Sequence, residues 1–180
     1  MDMSLTGMCN INMLYFFVGV FTCLFISADF KSGYVKNLFT VRAKKTDYVI
    51  SKSVVCILCG ALMILAFFIG AMLGGAITGL SFDTGVAGAY GVIMCLLSKM
   101  LLVSIFVPIS LLVSVIAKQR VWLSILLSLG VGMLLFNIVP TVSPLDSTIL
   151  NVALSLVGGA LLSIGIGAVS NLILRRTSLI

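Results

Sequence analysis

The sequence of 180 residues contains no histidine, and only 9% of its residues are charged. Without histidine, neither a Ser-His-Asp triad nor a histidine-ligated metal site can form. No stretch matches the P-loop pattern G-x-x-x-x-G-K-[ST], so we expect the chain to hydrolyse no nucleotide by itself. The sequence therefore predicts a protein that is not an enzyme and has no catalytic, cofactor-binding or metal-binding residues.

Acidic residues are also scarce. There are five, and all lie outside the long apolar runs or at their borders: Asp2, Asp29, Asp47, Asp83 and Asp146. Transporters driven by protons or sodium ions usually carry an ionisable residue within a membrane span. The sequence therefore disfavours a self-powered secondary transporter.

Apolar residues, in contrast, make up 61% of the chain. A soluble globular domain has about a quarter of its residues charged, so the composition excludes that class. A membrane-spanning helix needs about 20 apolar residues, and five runs approach or exceed that length: 11–28, 53–77, 86–117, 121–139 and 150–174. The runs lack the alternation of barrel strands. We predict a single domain over residues 1–180, an all-α polytopic transmembrane bundle with five spans.

The basic residues predict the orientation of this bundle. Ten of the eleven Lys and Arg residues lie in segments on one side of the five spans, and the segments that hold Asp2, Asp83 and Asp146 contain none. By the positive-inside rule the basic segments are cytoplasmic, so the N-terminus lies outside and the C-terminus inside. We expect a multi-pass protein of the cell membrane and, more specifically, of a bacterial plasma membrane. Loop charges facing the lipid bilayer explain the net charge of +6, without a nucleic-acid partner.

Lys99 is the remaining basic residue, and it lies inside the run 86–117. This run would form about 48 Å of helix, more than the hydrocarbon core of about 30 Å. We favour an outer helical extension over residues 82–97, with the Lys99 ammonium at the outer headgroups. The alternative is a lysine in the transport pathway, facing an aqueous cavity and contacting an anionic substrate.

Proline and small residues indicate how the helices pack. Pro108 lacks a backbone donor, so the Ser104 carbonyl loses its helical hydrogen bond and a kink is predicted. The kink either acts as a hinge, or a neighbouring helix restores the lost bond. Small residues recur at every fourth position in two spans, at Gly70 and Gly74 and at Ser155, Gly159, Ser163 and Gly167. Such stripes permit close helix contacts, either within one chain or between two.

The segment from Asp29 to Lys52 is the one sizeable polar loop. If residues 29–45 form a helix, Phe30, Tyr34 and Leu38 fall on one face with Val41. This pattern predicts a short amphipathic helix at the membrane surface. Phe39 points away from that face, where it either contacts a partner or packs on a neighbouring span.

The same loop resembles the type-two permease family of ATP-binding-cassette (ABC) exporters. The matching stretch is Asp29-Phe-Lys-Ser-Gly33-Tyr-Val-Lys-Asn-Leu38-Phe, followed by Arg42 and by Tyr48-Val-Ile-Ser-Lys52. The resemblance implies that the loop helix docks on a separate ABC ATPase subunit, with Asp29, Gly33 and Lys36 shaping it and Leu38 and Phe39 as contacts. Members of that family usually have six spans, so we expect that the usual first span is missing here.

The resemblance implies a membrane-spanning permease subunit of an ATP-driven ABC exporter. A second permease chain, identical or different, would complete the transport path. The alternative is a non-transporting membrane immunity or assembly protein that acts through helix-helix contacts. No residue pattern selects among peptide, lipid-like and drug substrates.

Overall fold

The computed structural model describes residues 2–4, 11, 13–35, 37, 45–79, 81–83, 88–117, 120–136 and 149–176. Over these ranges the chain forms a helical bundle with one pair of very short parallel strands. The elements in chain order are β1 (Asp2–Ser4), α1 (Leu14–Lys31), α2 (Lys45–Ile77), β2 (Ser81–Asp83), α3 (Gly88–Ala117), α4 (Val121–Phe136) and α5 (Ile149–Arg176). Helices α1, α2, α3 and α5 are long and apolar enough to cross a membrane, and α4 is apolar but shorter.

The helices do not begin and end where the apolar runs do. Helix α1 continues to Lys31, and α2 begins at Lys45 instead of at residue 53. In the outer extension predicted for 82–97, the described residues from Gly88 onwards are helical, whereas Phe82 belongs to β2. Helical hydrogen bonds continue through polar residues outside the lipid, so apolar composition marks the membrane-facing part of a helix and not its ends.

Helix α3 is the centre of the bundle. In its most apolar window 61% of the residues are buried, compared with 22% in α2 and 11% in α5. The outer helices therefore expose many large apolar side chains, such as Leu62, Leu73 and Leu161. A surface of this kind is stable only in a nonaqueous environment. The chain is a multi-pass membrane protein.

A line of small polar residues joins α3 to α5. The hydroxyls of Ser98 and Ser155 lie 3.3 Å apart, and the Ser163 hydroxyl donates a 2.8 Å hydrogen bond to the Ser104 carbonyl. This is the carbonyl that Pro108 leaves without its intrahelical donor. A neighbouring helix thus restores the lost bond, which is one of the two outcomes expected from the sequence.

Replacing Ser163 with alanine is expected to cost about 1 kcal/mol of unfolding free energy, because the Ser104 carbonyl then loses its donor. In a Pro108→Ala background the new backbone N–H can serve that carbonyl, so the same replacement should cost close to nothing. A double-mutant cycle on unfolding in detergent micelles measures the difference. Equal costs in the two backgrounds would contradict the assignment.

A second polar line joins α3 to α4 and α1, and the small-residue stripes of the sequence do not predict it. The Ser114 and Ser124 hydroxyls lie 2.9 Å apart, and those of Ser110 and Ser128 lie 3.4 Å apart. Both pairs are buried, and Gly19 of α1 lies against the second pair. A Cβ atom added at Gly19 would lie 3.0 Å from the Ser128 hydroxyl oxygen. Helices α3 and α4 each carry two serines four residues apart, which places each pair on one helix face, but the spacing does not predict that the two faces meet.

Polar contacts place the basic helix ends together. An ion pair between Asp29 and Lys52 joins the end of α1 to the start of α2. The Asn171 side-chain amide donates a 2.9 Å hydrogen bond to the Thr46 hydroxyl, which joins the end of α5 to the same place. We call this the basic end of the bundle; its helix ends carry Lys31, Lys45, Lys52, Arg120, Arg175 and Arg176. The opposite end carries Asp2 and Asp83 in the strand pair.

Candidate coupling site between the first two helices

The chain leaves α1 through a tight turn at Gly33. The backbone N–H of Ser32 donates to the Ala28 carbonyl, and the N–H of Gly33 donates to that of Phe30. Gly33 then adopts a φ of +73°, in the left-handed region that ends helices at glycine. The N–H of Asn37 donates to the Gly33 carbonyl at 3.1 Å, so a new helical turn begins directly after the glycine.

Asp29 binds both Lys52 and Tyr48 across this turn. Its Oδ2 atom lies 2.7 Å from the Lys52 Nζ and accepts a 3.0 Å hydrogen bond from the Tyr48 hydroxyl. The Asp29 and Lys52 side chains are each 16% exposed, and Tyr48 is buried. Water screens an ion pair shielded in this way less than a solvated surface pair, so removing one partner would leave a poorly hydrated charge. We call Asp29, Tyr48 and Lys52 the clamp.

Aromatic rings complete the surroundings of the Lys52 ammonium. Its Nζ lies 3.9 Å from the centroid of the Phe25 ring and 6.0 Å from those of Tyr34 and Tyr48. Cation–π attraction at the Phe25 distance adds to the ion pair. Two groups of α1 therefore hold the Lys52 side chain, namely the Asp29 carboxylate and the Phe25 ring.

The first residues after the turn pack back onto the bundle. Val35 is 1% exposed and belongs to a buried apolar cluster with Tyr48 and Val49 of α2. Leu111 and Val115 of α3 belong to the same cluster. A force applied to the loop therefore reaches α1, α2 and the central helix through direct contacts.

The structure describes part of the predicted loop helix. Asp29 lies within α1 and Gly33 lies at the turn, whereas Lys36, Leu38 and Phe39 lie outside the described residues. A single helix over 29–45 is wrong, because the turn at Gly33 separates the end of α1 from the segment that follows.

The predicted apolar face of the loop differs as a result. Tyr34 is 49% exposed, and the neighbouring Val35 is the buried residue. Tyr48 and Lys52 lie in the matching stretch of the family resemblance, which assigns neither of them a contact with Asp29. No spacing rule identifies them as partners of Asp29, since 19 and 23 residues separate them from it.

The residues of the predicted small-residue stripes differ in their packing. Ser155, Gly159 and Ser163 pack on α3, where a Cβ atom at Gly159 would overlap the Ser104 hydroxyl. Gly70, Gly74 and Gly167 instead have open space at their Cβ positions among the described residues.

Lys99 is enclosed by the bundle, with 1% of its side chain exposed. It lies about 17 Å along α3 from Gly88. Neighbouring helices therefore cover the side chain, and a position at the outer headgroups and one in a transport pathway both stay predictions. The Tyr15 hydroxyl donates a 2.8 Å hydrogen bond to the Lys99 carbonyl, and the Tyr15 ring stacks on Phe106 at 4.7 Å.

Comparison with known families supports the resemblance found in the sequence. A family model described as ABC-2 family transporter protein matches residues 1–137. The matched part contains the clamp, the turn at Gly33 and all elements from β1 to α4. No match was found among curated proteins or among solved structures.

Proposed function

The chain belongs to the ABC-2 family of transporter proteins, and from this premise we propose that it is the permease subunit of an ATP-driven exporter, coupled to a separate ATPase through the loop that follows α1. Family membership itself supports a permease subunit of an ABC transporter with an ATPase partner. The direction of transport and the coupling route are our proposal. The clamp supports the coupling route most strongly, since it joins the two helices that flank the loop.

The proposed mechanism needs no chemistry within this chain. The ATPase supplies ATP hydrolysis, and its movement displaces the loop between Gly33 and Lys45. Because the clamp and the Val35 cluster tie the loop ends to α1, α2 and α3, the displacement would tilt these helices together. A second permease chain, identical or different, would form the other wall of the path.

The proposed orientation places the loop where an ATPase can reach it. We infer five spans, one of which is the shorter helix α4. The N-terminus then lies outside, and the C-terminus lies in the cytoplasm of a bacterial cell. The collection of basic helix ends at one end of the bundle supports this orientation through the positive-inside rule. The strand pair, with Asp2 and Asp83, would then face the outside.

Replacing Leu38 and Phe39 together with aspartate is expected to abolish co-purification of the ATPase, because two carboxylates would disrupt an apolar docking contact. The measurement is the amount of ATPase retained on the affinity-tagged permease. The matched control is Thr78→Asp with Phe82→Asp, which introduces the same charges at the opposite end of the bundle. Association that is undiminished in the Leu38/Phe39 variant, or equally lost in the control, would refute the docking role.

The alternative is a non-transporting immunity or assembly protein that binds other membrane helices. The open faces of Gly70 and Gly74 on α2 favour this second candidate, since a foreign helix can approach closely there. Under that alternative the tagged chain would co-purify with another membrane protein and without an ATPase. The same isolation therefore separates the two functions.

A further inference from the structure

An apolar groove of about 1260 Å³ runs between the end of α1 and the start of α4. Leu24 of α1 and Leu126 and Leu129 of α4 line it. Small-molecule pockets usually have volumes of about 300–1,000 Å³, so this groove accepts a larger ligand. Its apolar lining, on a chain that lies in a membrane, suits a hydrocarbon chain.

Two basic residues border the same groove at the basic end of the bundle. Lys31 is the last residue of α1, Arg120 directly precedes α4, and both side chains are exposed. The nearest acidic residue along the chain, Asp29, already binds Lys52. The groove therefore combines an apolar surface with two positive charges at one end.

The lining of this groove also contains Trp122. Its side chain is 86% exposed and lies in the groove lining two residues from Arg120. Tryptophan is enriched at the boundary between hydrocarbon and headgroups, where its ring contacts both. We therefore expect the two charges and the indole to lie where a phospholipid headgroup meets its acyl chains.

We propose that this groove is a binding site for an anionic phospholipid, whose phosphate lies between Lys31 and Arg120 and whose acyl chain lies along Leu24, Leu126 and Leu129. A zwitterionic lipid also carries an ammonium group in its headgroup, and Lys31 and Arg120 would repel that charge. Each basic residue at an anionic membrane surface strengthens binding by roughly fivefold, so the pair selects the anionic lipid. The site depends on the chain lying in a membrane and not on its coupling to an ATPase.

The single tryptophan of the chain allows a direct test. The whole chain is reconstituted in mixed vesicles of phosphatidylcholine and phosphatidylglycerol, with bromine on the acyl chains of one lipid or the other. We expect brominated phosphatidylglycerol to quench Trp122 more strongly at equal mole fraction, with an apparent enrichment of roughly fivefold or more. Equal quenching by the two lipids would overturn the proposal.

Variants distinguish a built site from general attraction to the membrane surface. Lys31→Gln with Arg120→Gln should make the two lipids quench equally, and Lys31→Arg with Arg120→Lys should keep the preference. The matched control is Arg175→Gln with Arg176→Gln, which removes two charges from the same end of the bundle and should also keep it.

Three further outcomes would overturn the proposal. The first is a preference for phosphatidylglycerol that survives in the Lys31/Arg120 glutamine variant. The second is a preference that the Arg175/Arg176 variant loses to the same extent as the Lys31/Arg120 variant. The third is a Trp122 that neither lipid quenches, because a second copy or a partner helix would then cover the groove. Because both replaced side chains of the site are exposed, the fold should persist, and circular dichroism of each variant checks this.

Discussion

Replacing Asp29 with lysine is expected to lower the unfolding free energy by about 2–3 kcal/mol and to remove most of the bound ATPase. The substitution places two ammonium groups together and leaves the Tyr48 hydroxyl without its acceptor. Breaking a fully buried pair costs about 3–5 kcal/mol, and the 16% exposure of each partner lowers this figure. Thermal unfolding in detergent and ATPase retention are the two measurements.

Exchanging the two charges separates the ion pair from the rest of the site. Lys52→Asp alone should cost a similar amount, and the Asp29→Lys/Lys52→Asp exchange should restore most of both losses. Restoration stays incomplete because the Tyr48 hydrogen bond and the contact with the Phe25 ring are not recovered. The matched control is Asp47→Lys, an equal charge change at an exposed side chain. An exchange that restores nothing, or a control with the same loss, would contradict the clamp.

Replacing Gly159 with leucine is expected to destabilise the bundle by about 2–3 kcal/mol, the upper range for overpacking a tight contact. A Cβ at this position overlaps the Ser104 hydroxyl, and the backbone oxygen of Leu101 lies 3.6 Å away. The side chain would push α5 away from α3 and strain the flanking contacts of Ser155 and Ser163. Unfolding in detergent micelles measures the loss.

Gly158 provides the control for this substitution on the same helix. Its Cβ position meets no atom within 4 Å among the described residues. Leucine there adds helix propensity of nearly 1 kcal/mol without a clash. We expect Gly158→Leu to leave stability unchanged or slightly raised. Similar losses at both positions would show that α5 does not pack on α3 through Gly159.

The sequence predicts the helices better than it predicts their contacts. Continuous apolar runs identify a membrane bundle because only a helix satisfies its own backbone in lipid. The freed carbonyl of Ser104 follows from the proline alone, since the missing donor has a fixed place in the helix. Its partner Ser163 lies 59 residues away, and only packing brings the two together.

Other contacts leave almost no trace in one sequence. Ser110 and Ser128 lie within apolar runs and read as ordinary small residues, although they line a buried polar contact. The apolar runs do not predict the clamp, because Tyr48 and Lys52 precede the run 53–77, whereas the helix already begins at Lys45. Helix length predicts the level of Lys99 in the membrane, but it cannot reveal that neighbouring helices enclose the side chain.

The central proposal, a permease driven by a separate ATPase, is tested most directly by isolating the tagged wild-type chain from the membranes of its own host. The measurement is the identity of the proteins retained and the ATP hydrolysis of the isolate. The account predicts a retained subunit that carries a P-loop, with ATP hydrolysis that disappears when Leu38 and Phe39 are replaced with aspartate. An isolate that folds as the bundle described above but contains no ATPase and hydrolyses no ATP would contradict it.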